Sequence, residues 1–233
     1  MAMTAVLVHG AGGGGWQWQA WAPVLARAGF AVLAPDLRPC AAGLAATTFD
    51  HYQDQVDAWC ASAGKELVLI GASLGALLAL RAAGPHQAAA LVLVNPVPPA
   101  GIRPWPAFPE RPSVVAWSAG PLHSTVRALP GLPLDHVRAI HRRWRDESGQ
   151  VLAQAAAGVP GARLACPVLV LAGAEDTDIP PATSQAVAGA LRGACLVLAG
   201  QGHLSPLLGA GAASVATLAA DWLALAAGTG NSG

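Results

Sequence analysis

The chain has 233 residues, 54% hydrophobic and 11% charged, and thirteen Lys and Arg balance thirteen Asp and Glu to a formal net charge of +0. This is the reverse of a disordered composition, and no basic surplus exists to build a general nucleic-acid-binding face. The length suits one large domain or two small ones.

Six short apolar runs punctuate the chain: Thr4–His9, Ala31–Ala34, Glu66–Gly71, Ala90–Val94, Pro167–Ala172 and Ala194–Leu198. Each is rich in Val, Leu or Ile and lacks polar alternation, which predicts strands buried on both faces of a parallel sheet. Helix-like segments separate them. Trp16–Ala28 precedes the second run, Thr48–Ala63 starts on a candidate N-cap, and Leu74–Ala83 follows the third run. Pro181–Leu191 begins with a proline suited to a first helical turn, and Gly211–Ala226 closes the pattern. Strand–helix alternation predicts an α/β fold with a doubly wound, mainly parallel sheet of about six strands.

One stretch departs from this rhythm. Residues 96–164 carry no strand-like run, begin with a proline-rich VPPAGIRPWPAFPERP segment, and then offer helical segments at Leu134–Trp144 and Gly149–Ala157. An insertion of this length is expected to be a small helical cap or lid. The expected organisation is a core of residues 1–95 and 165–227, a cap of 96–164, and a disordered tail of 228–233 (GTGNSG).

A spanning helix needs roughly 20 consecutive apolar residues. The best stretches, 67–83 and 209–227, are interrupted by Arg81 and by Asp221 respectively, so no membrane span is expected. No basic segment precedes the first strand, and no signal peptide is expected. The expectation is a cytoplasmic chain with Cys40, Cys60, Cys166 and Cys195 reduced, their spacing matching no zinc pattern. Neither a metal nor a cofactor is expected.

The chemistry centres on Gly71-Ala72-Ser73-Leu74-Gly75, a G-x-S-x-G motif lying between a predicted strand and a predicted helix. That context is a nucleophile elbow, a strained turn that projects its serine. A serine hydroxyl needs a base to take its proton, and catalytic groups of open α/β sheets gather at the C-terminal ends of the strands. His203 follows the last apolar run and Asp176 the fifth, so Ser73, Asp176 and His203 occur in the order this fold uses. Glu175 and Asp178 share the acid's loop and compete with Asp176. His51, His86, His136 and His141 read as surface residues, His123 as a candidate pocket residue, and His9 as a brace for the loop that follows it.

Acyl transfer passes through an oxyanion that backbone amides can hold. Leu74 should supply one, and the loop His9–Gly15 (HGAGGGG) the other. That loop lacks the Lys-Ser/Thr of a phosphate-binding P-loop.

These segments together resemble the α/β-hydrolase superfamily over nearly the whole chain. HGAGGGGWQW (9–18), APDLR (34–38), GASLG (71–75), GAEDTDIP (173–180) and GQGH (200–203) are similar to segments of its plant methylesterase and hydroxynitrile lyase branch and of bacterial esterase relatives. The resemblance implies Ser73 as nucleophile, Asp176 as acid, His203 as base, and Ala11 and Leu74 as oxyanion donors. It also implies a sheet starting at the family's third strand and a cap at residues 96–164. Relatives often carry Asp where this chain has Gly202.

The implied activity is cleavage of a small-molecule carboxylic ester or thioester through an acyl-enzyme. The alternatives are a thioesterase or cyclase/hydrolase of a biosynthetic pathway, a C–C hydrolase or perhydrolase with the same triad, and a ligand-binding protein with little turnover. Ser73 argues against dehalogenase and epoxide hydrolase relatives, which place Asp at the elbow. Lys65, expected at the opposite sheet edge, argues against cyanohydrin lysis. For the substrate pocket, Gly12, Trp105, Trp117 and His123 are the candidates, with Phe108 and Trp144 as further apolar cap residues. Arg142, Arg143 and Arg145 read as a solvated helix face or as a contact for an anionic substrate. Substrate identity and oligomeric state are not legible.

Overall fold

A computed structural model describes residues 3–64, 66–106 and 108–228. The chain opens with β1 (Thr4–Val8), a 3-10 turn at Gly15–Trp18, α1 (Ala22–Arg27) and β2 (Ala31–Leu33). There follow α2 (Phe49–Ala63), β3 (Leu67–Ala72), α3 (Leu74–Ala83) and β4 (Ala90–Val94). A long excursion carries β5 (Val114–Val115), α4 (Leu122–Ala128), α5 (Leu134–His141), β6 (Glu147–Ser148) and α6 (Gly149–Gly158). The chain returns as β7 (Val168–Gly173), α7 (Pro181–Ala190), β8 (Ala194–Leu198), α8 (Ser205–Leu208) and α9 (Ala212–Gly228).

Six strands form one parallel sheet in the order β2-β1-β3-β4-β7-β8. The fold is the expected α/β-hydrolase architecture. Strand residues alternate between two apolar layers. Val6, Val8, Leu67 and Leu69 pack towards α2, α3 and α7, whereas Ala5, Leu7, Val68 and Ile70 pack towards α1 and α9. A continuous apolar run satisfies both faces at once because side chains point alternately up and down. Each fully buried Val, Leu or Ile contributes roughly 1.5–3 kcal/mol, so these strands supply much of the driving force.

Burial on both faces holds for β1, β3, β4 and β7 but not for the two edges. Ala31 in β2 is exposed, and in β8 Leu196 and Val197 are 40% and 45% exposed. Among the described residues no strand lies beyond either edge, so helix coverage thins there.

The helix expected over 16–28 breaks into a short turn and α1, whose first turn holds Pro23. Proline suits a helix start but removes the N–H that an interior position needs. Thr48 caps α2 as expected. Its hydroxyl accepts the His51 N–H, and the His51 ring accepts the Thr48 N–H at 3.0 Å.

The excursion does contain strand, contrary to the sequence reading. Val114 and Val115 pair antiparallel with Ser148 and Glu147, and two-residue segments are too short to show a period. α4 was not foreseen, and α5 ends at His141, short of Trp144. Lys65 lies outside the described residues, as does the expected tail except Gly228, the last residue of α9. Among the described residues no helix is long and apolar enough to cross a membrane.

Parallel pairing brings the C-terminal strand ends together. Val8 aligns with Gly71, Ala72 with Val94, Val94 with Leu171, and Gly173 with Leu198. The loops leaving β1, β3, β4, β7 and β8 therefore share one edge.

Candidate active site

Ser73 sits between β3 and α3 at φ 53°, ψ −119°. A non-glycine residue there costs about 1–3 kcal/mol and persists only where its surroundings enforce it. They do so here. The Ser73 N–H donates to the Val94 carbonyl at 2.9 Å, and the Ser73 carbonyl accepts from Val97 at 3.1 Å and Ala76 at 3.1 Å. Gly75 makes the turn possible: a Cβ there would collide with the Val8 and His9 carbonyl oxygens. β1 can thus lie directly against the start of α3.

His203 Nε2 lies 3.0 Å from Ser73 Oγ, and its Nδ1 lies 2.7 Å from Asp176 Oδ2. The other Asp176 oxygen accepts the N–H groups of Asp178 at 2.8 Å and Ile179 at 2.9 Å. Asp176 is buried, so these bonds fix its orientation. Burial pulls the His203 pKa down, but the charge and hydrogen bond of Asp176 outweigh it, and the net shift is upward. The rival acids point elsewhere: Glu175 is exposed, and Asp178 pairs with Arg127 at 3.1 Å.

One residue that sequence reasoning missed holds this arrangement. Asn95, buried just past β4, donates from Nδ2 to the His203 carbonyl at 2.7 Å and accepts the Gly173 N–H on Oδ1 at 2.7 Å. It ties the His203 loop to β7, the strand that leads to Asp176. The only sequence signal was a polar residue directly after an apolar strand at the functional edge.

The loop after β1 approaches Ser73 closely: a Cβ on Gly10 would stand 3.2 Å from Ser73 Cβ. The amides of Gly10, Gly12, Gly13 and Gly15 are engaged by Gln17, Glu147, the Gly10 carbonyl and Asp36. Between them, the Ala11 N–H has no hydrogen-bond partner among the described residues, and nor does the Leu74 N–H at the start of α3. His9 braces the loop as expected. Its Nδ1 bonds the Gly10 carbonyl at 2.8 Å, and its Nε2 accepts the Leu37 N–H at 2.9 Å. Burial, foremost, holds its pKa near about 4, so it is a neutral structural imidazole.

The expected pocket residues take several roles. Gly12 borders an open cleft of about 430 Å³, together with Leu37, Tyr52, Trp144, Arg145 and Glu147; Ser73 does not line this cleft. Trp117 covers Gly12 so closely that a Cβ there would meet its ring, and the Arg111 guanidinium lies over the Trp117 ring at 6.0 Å from its centroid. Trp105 packs edge-on against Phe108 at 5.8 Å. His123 is exposed on α4. Among the histidines read as surface residues, His86 and His141 differ: both are half-buried, His86 bonding Asp57 at 3.0 Å and His141 bonding Thr125 and the Gly120 carbonyl.

The arginine cluster is not simply a solvated face. Arg143 stacks on Trp16 at 4.3 Å, and Arg145 donates from Nε to the Gly13 carbonyl at 2.6 Å. The His203 loop meets the excursion as well, because the Leu204 N–H donates to the Ala128 carbonyl at 3.0 Å.

A family model described as "Alpha/beta hydrolase family" matches residues 5–220. The chain belongs to the alpha/beta hydrolase family. It is a hydrolase by that membership. No curated protein sequence matches this alpha/beta hydrolase. Solved structures that share its fold include a monoacylglycerol lipase from Paleococcus ferrophilus, with 20% identity, TM-score 0.71, and 96% of each chain covered. A thermophilic esterase from Thermogutta terrifontis has 22% identity and TM-score 0.70, with 97% of this chain and 91% of that one covered. A pyrethroid hydrolase from Sphingobium faniae JZ-2 has 20% identity and TM-score 0.68, with 96% and 98% covered.

Proposed function

We propose that this alpha/beta hydrolase cleaves a small-molecule carboxylic ester or thioester through an acyl-enzyme on Ser73. The observation that carries the reading is the unbroken chain from Ser73 Oγ to His203 Nε2 at 3.0 Å and from His203 Nδ1 to Asp176 Oδ2 at 2.7 Å. In this reading Ser73 Oγ attacks the carbonyl carbon as His203 takes its proton. Asp176 keeps the imidazole in the tautomer with Nδ1 protonated and stabilises the imidazolium. The Ala11 and Leu74 N–H groups hold the oxyanion. The tetrahedral species collapses as His203 protonates the leaving alcohol or thiol. Water, deprotonated by the same histidine, then releases the acid. No step requires a metal or cofactor. The solved structures of similar fold include proteins named as an esterase, a lipase and a pyrethroid hydrolase, which supports esters as the first substrates to try.

The test is labelling by a fluorophosphonate probe, alongside a panel of aryl esters and acyl thioesters of graded chain length. The wild type should be labelled at Ser73 and turn over part of the panel, and Ser73→Ala should lose both. Equal hydrolysis by the two proteins would refute the reading.

A further inference from the structure

The loop that carries Ala11 is held from the excursion by two neighbouring residues. Glu147, in β6, is buried at 3% exposure. Its Oε2 accepts the Gly12 N–H at 2.8 Å, and its Oε1 accepts the Tyr52 hydroxyl at 2.7 Å and the Ser148 N–H at 2.7 Å. Both oxygens act only as acceptors, the pattern of a carboxylate with its lone pairs satisfied. Arg145 grips the same stretch from the opposite polarity. Its backbone N–H donates to the Gly12 carbonyl at 2.8 Å, and its Nε donates to the Gly13 carbonyl at 2.6 Å. Arg145 is itself steadied by Asp36 at 3.4 Å, whose other oxygen accepts the Gly15 N–H.

Gly12 is therefore fixed at both its N–H and its C=O, and so in both peptide units that flank it, by side-chain and backbone groups of the excursion. A left-handed glycine has little rotational preference of its own, and Gly12 sits at φ 64°. Without these bonds the Ala11–Gly12 peptide can turn, and the Ala11 backbone, whose N–H lies in the preceding peptide unit, loses the anchor that holds its dihedrals.

We propose that Glu147, assisted by Arg145, is a positioning residue for the oxyanion loop. It aims the Ala11 N–H at the developing charge, and it makes docking of the excursion a condition for fast acyl transfer. Tyr52 belongs to the same unit, since its hydroxyl links Glu147 to α2 of the core. The inference rests on the acyl-transfer reading of Ser73.

Glu147→Gln tests it. An amide has one acceptor oxygen, so an NH2 group must face either the Gly12 N–H or the Tyr52 and Ser148 donors. The variant should lose about 10–100-fold in kcat, because a displaced oxyanion donor weakens the transition state. Its KM for an aryl ester should stay within about two-fold, since ground-state binding is untouched. The second-order rate of Ser73 modification by a fluorophosphonate should fall in step with kcat in a variant that stays folded, its melting temperature lowered by the buried donor left unpaired. Arg145→Gln, on a more exposed side chain, should show the same pattern at about 3–10-fold and serves if Glu147→Gln does not fold. Unchanged kcat in the folded variants overturns the proposal. So does a kcat loss with unchanged phosphonylation. A parent chain modified at Ser73 beside an equally reactive Glu147→Gln sinks this inference alone. A parent not modified at Ser73 removes the acyl-transfer reading, and the inference with it.

Discussion

Gly202, the residue before the proposed base, lies directly beneath the carbonyl oxygen of Ala128: a Cβ added to it would stand 2.8 Å from that oxygen and 2.6 Å from Cδ of Pro130. The excursion descends onto the His203 loop at this point, and the adjacent Leu204 N–H bonds the same carbonyl. The Asp that relatives often carry here has no room in this packing. Glycine is therefore matched to the path of this particular excursion.

Gly202→Ala should consequently be destabilising by about 1–3 kcal/mol, the usual range for overpacking a filled site. Because the atoms that must yield are the Ala128 carbonyl and the rigid Pro130 ring, the displacement should reach His203 and lower kcat as well. Urea unfolding and steady-state kinetics on the same preparation check this; a variant with parental midpoint and parental kcat would show that the contact is slack.

Asp176→Asn should alter both the size and the pH dependence of activity. The base must be neutral to accept the Ser73 proton, and Asp176 holds the His203 pKa above its ordinary value of 6.5 against the opposing effect of burial. The acid limb of kcat/KM in the parent should thus lie above pH 6.5. Replacing Asp176 removes the upward influence and leaves burial, so the limb should move to lower pH, while kcat falls by about 10⁴-fold as the imidazole loses its orienting acceptor. The linked stability has the opposite sign from a buried neutral histidine. A raised folded pKa stabilises the protein below the unfolded pKa, and that contribution is lost as pH rises through the folded value. A pH–rate profile from 4 to 9 for both proteins, with an unmoved acid limb, would count against this assignment.

His9 supplies the complementary case. Its folded pKa is near about 4 against 6.5 in the unfolded chain. Between those values the unfolded state binds the extra proton, so stability must fall as pH drops from 6.5 towards 4, by up to about 3 kcal/mol for a shift of this size. Protonation would also strip Nε2 of its lone pair, which now accepts from Leu37 and faces Arg145 at 3.3 Å. His9→Gln should flatten that part of the stability profile. Denaturant midpoints at pH 7 and pH 5 decide it, since an equally steep profile in the variant would place the acid sensitivity elsewhere.

Much of the fold was legible because its signals are local. Runs such as Leu67–Gly71 and Val168–Leu171 are apolar at every position, and strands covered on both faces require that. Thr48 before Phe49 marked the start of α2 for a similarly local reason. The paired valines of β5 escaped notice because a two-residue strand has no period to detect. The edge exposure of β8 was hidden because ACLVL reads like an interior strand.

The candidate site divides in the same way. Sequence alone was enough to place Ser73 on a strand–turn–helix elbow and to order it before Asp176 and His203, since those features depend on neighbours in the chain and on strand ends that share one edge. Tertiary structure alone separated Asp176 from Glu175 and Asp178, by putting one carboxylate within 2.7 Å of His203. It alone brought Glu147 to Gly12 across 135 residues, and Asn95 to His203 across 108. Such bonds link groups with no shared local pattern. They arise when β4 and β7 pair side by side and the chain between them folds back over the loop after β1, so their partners are chosen by packing rather than by spacing.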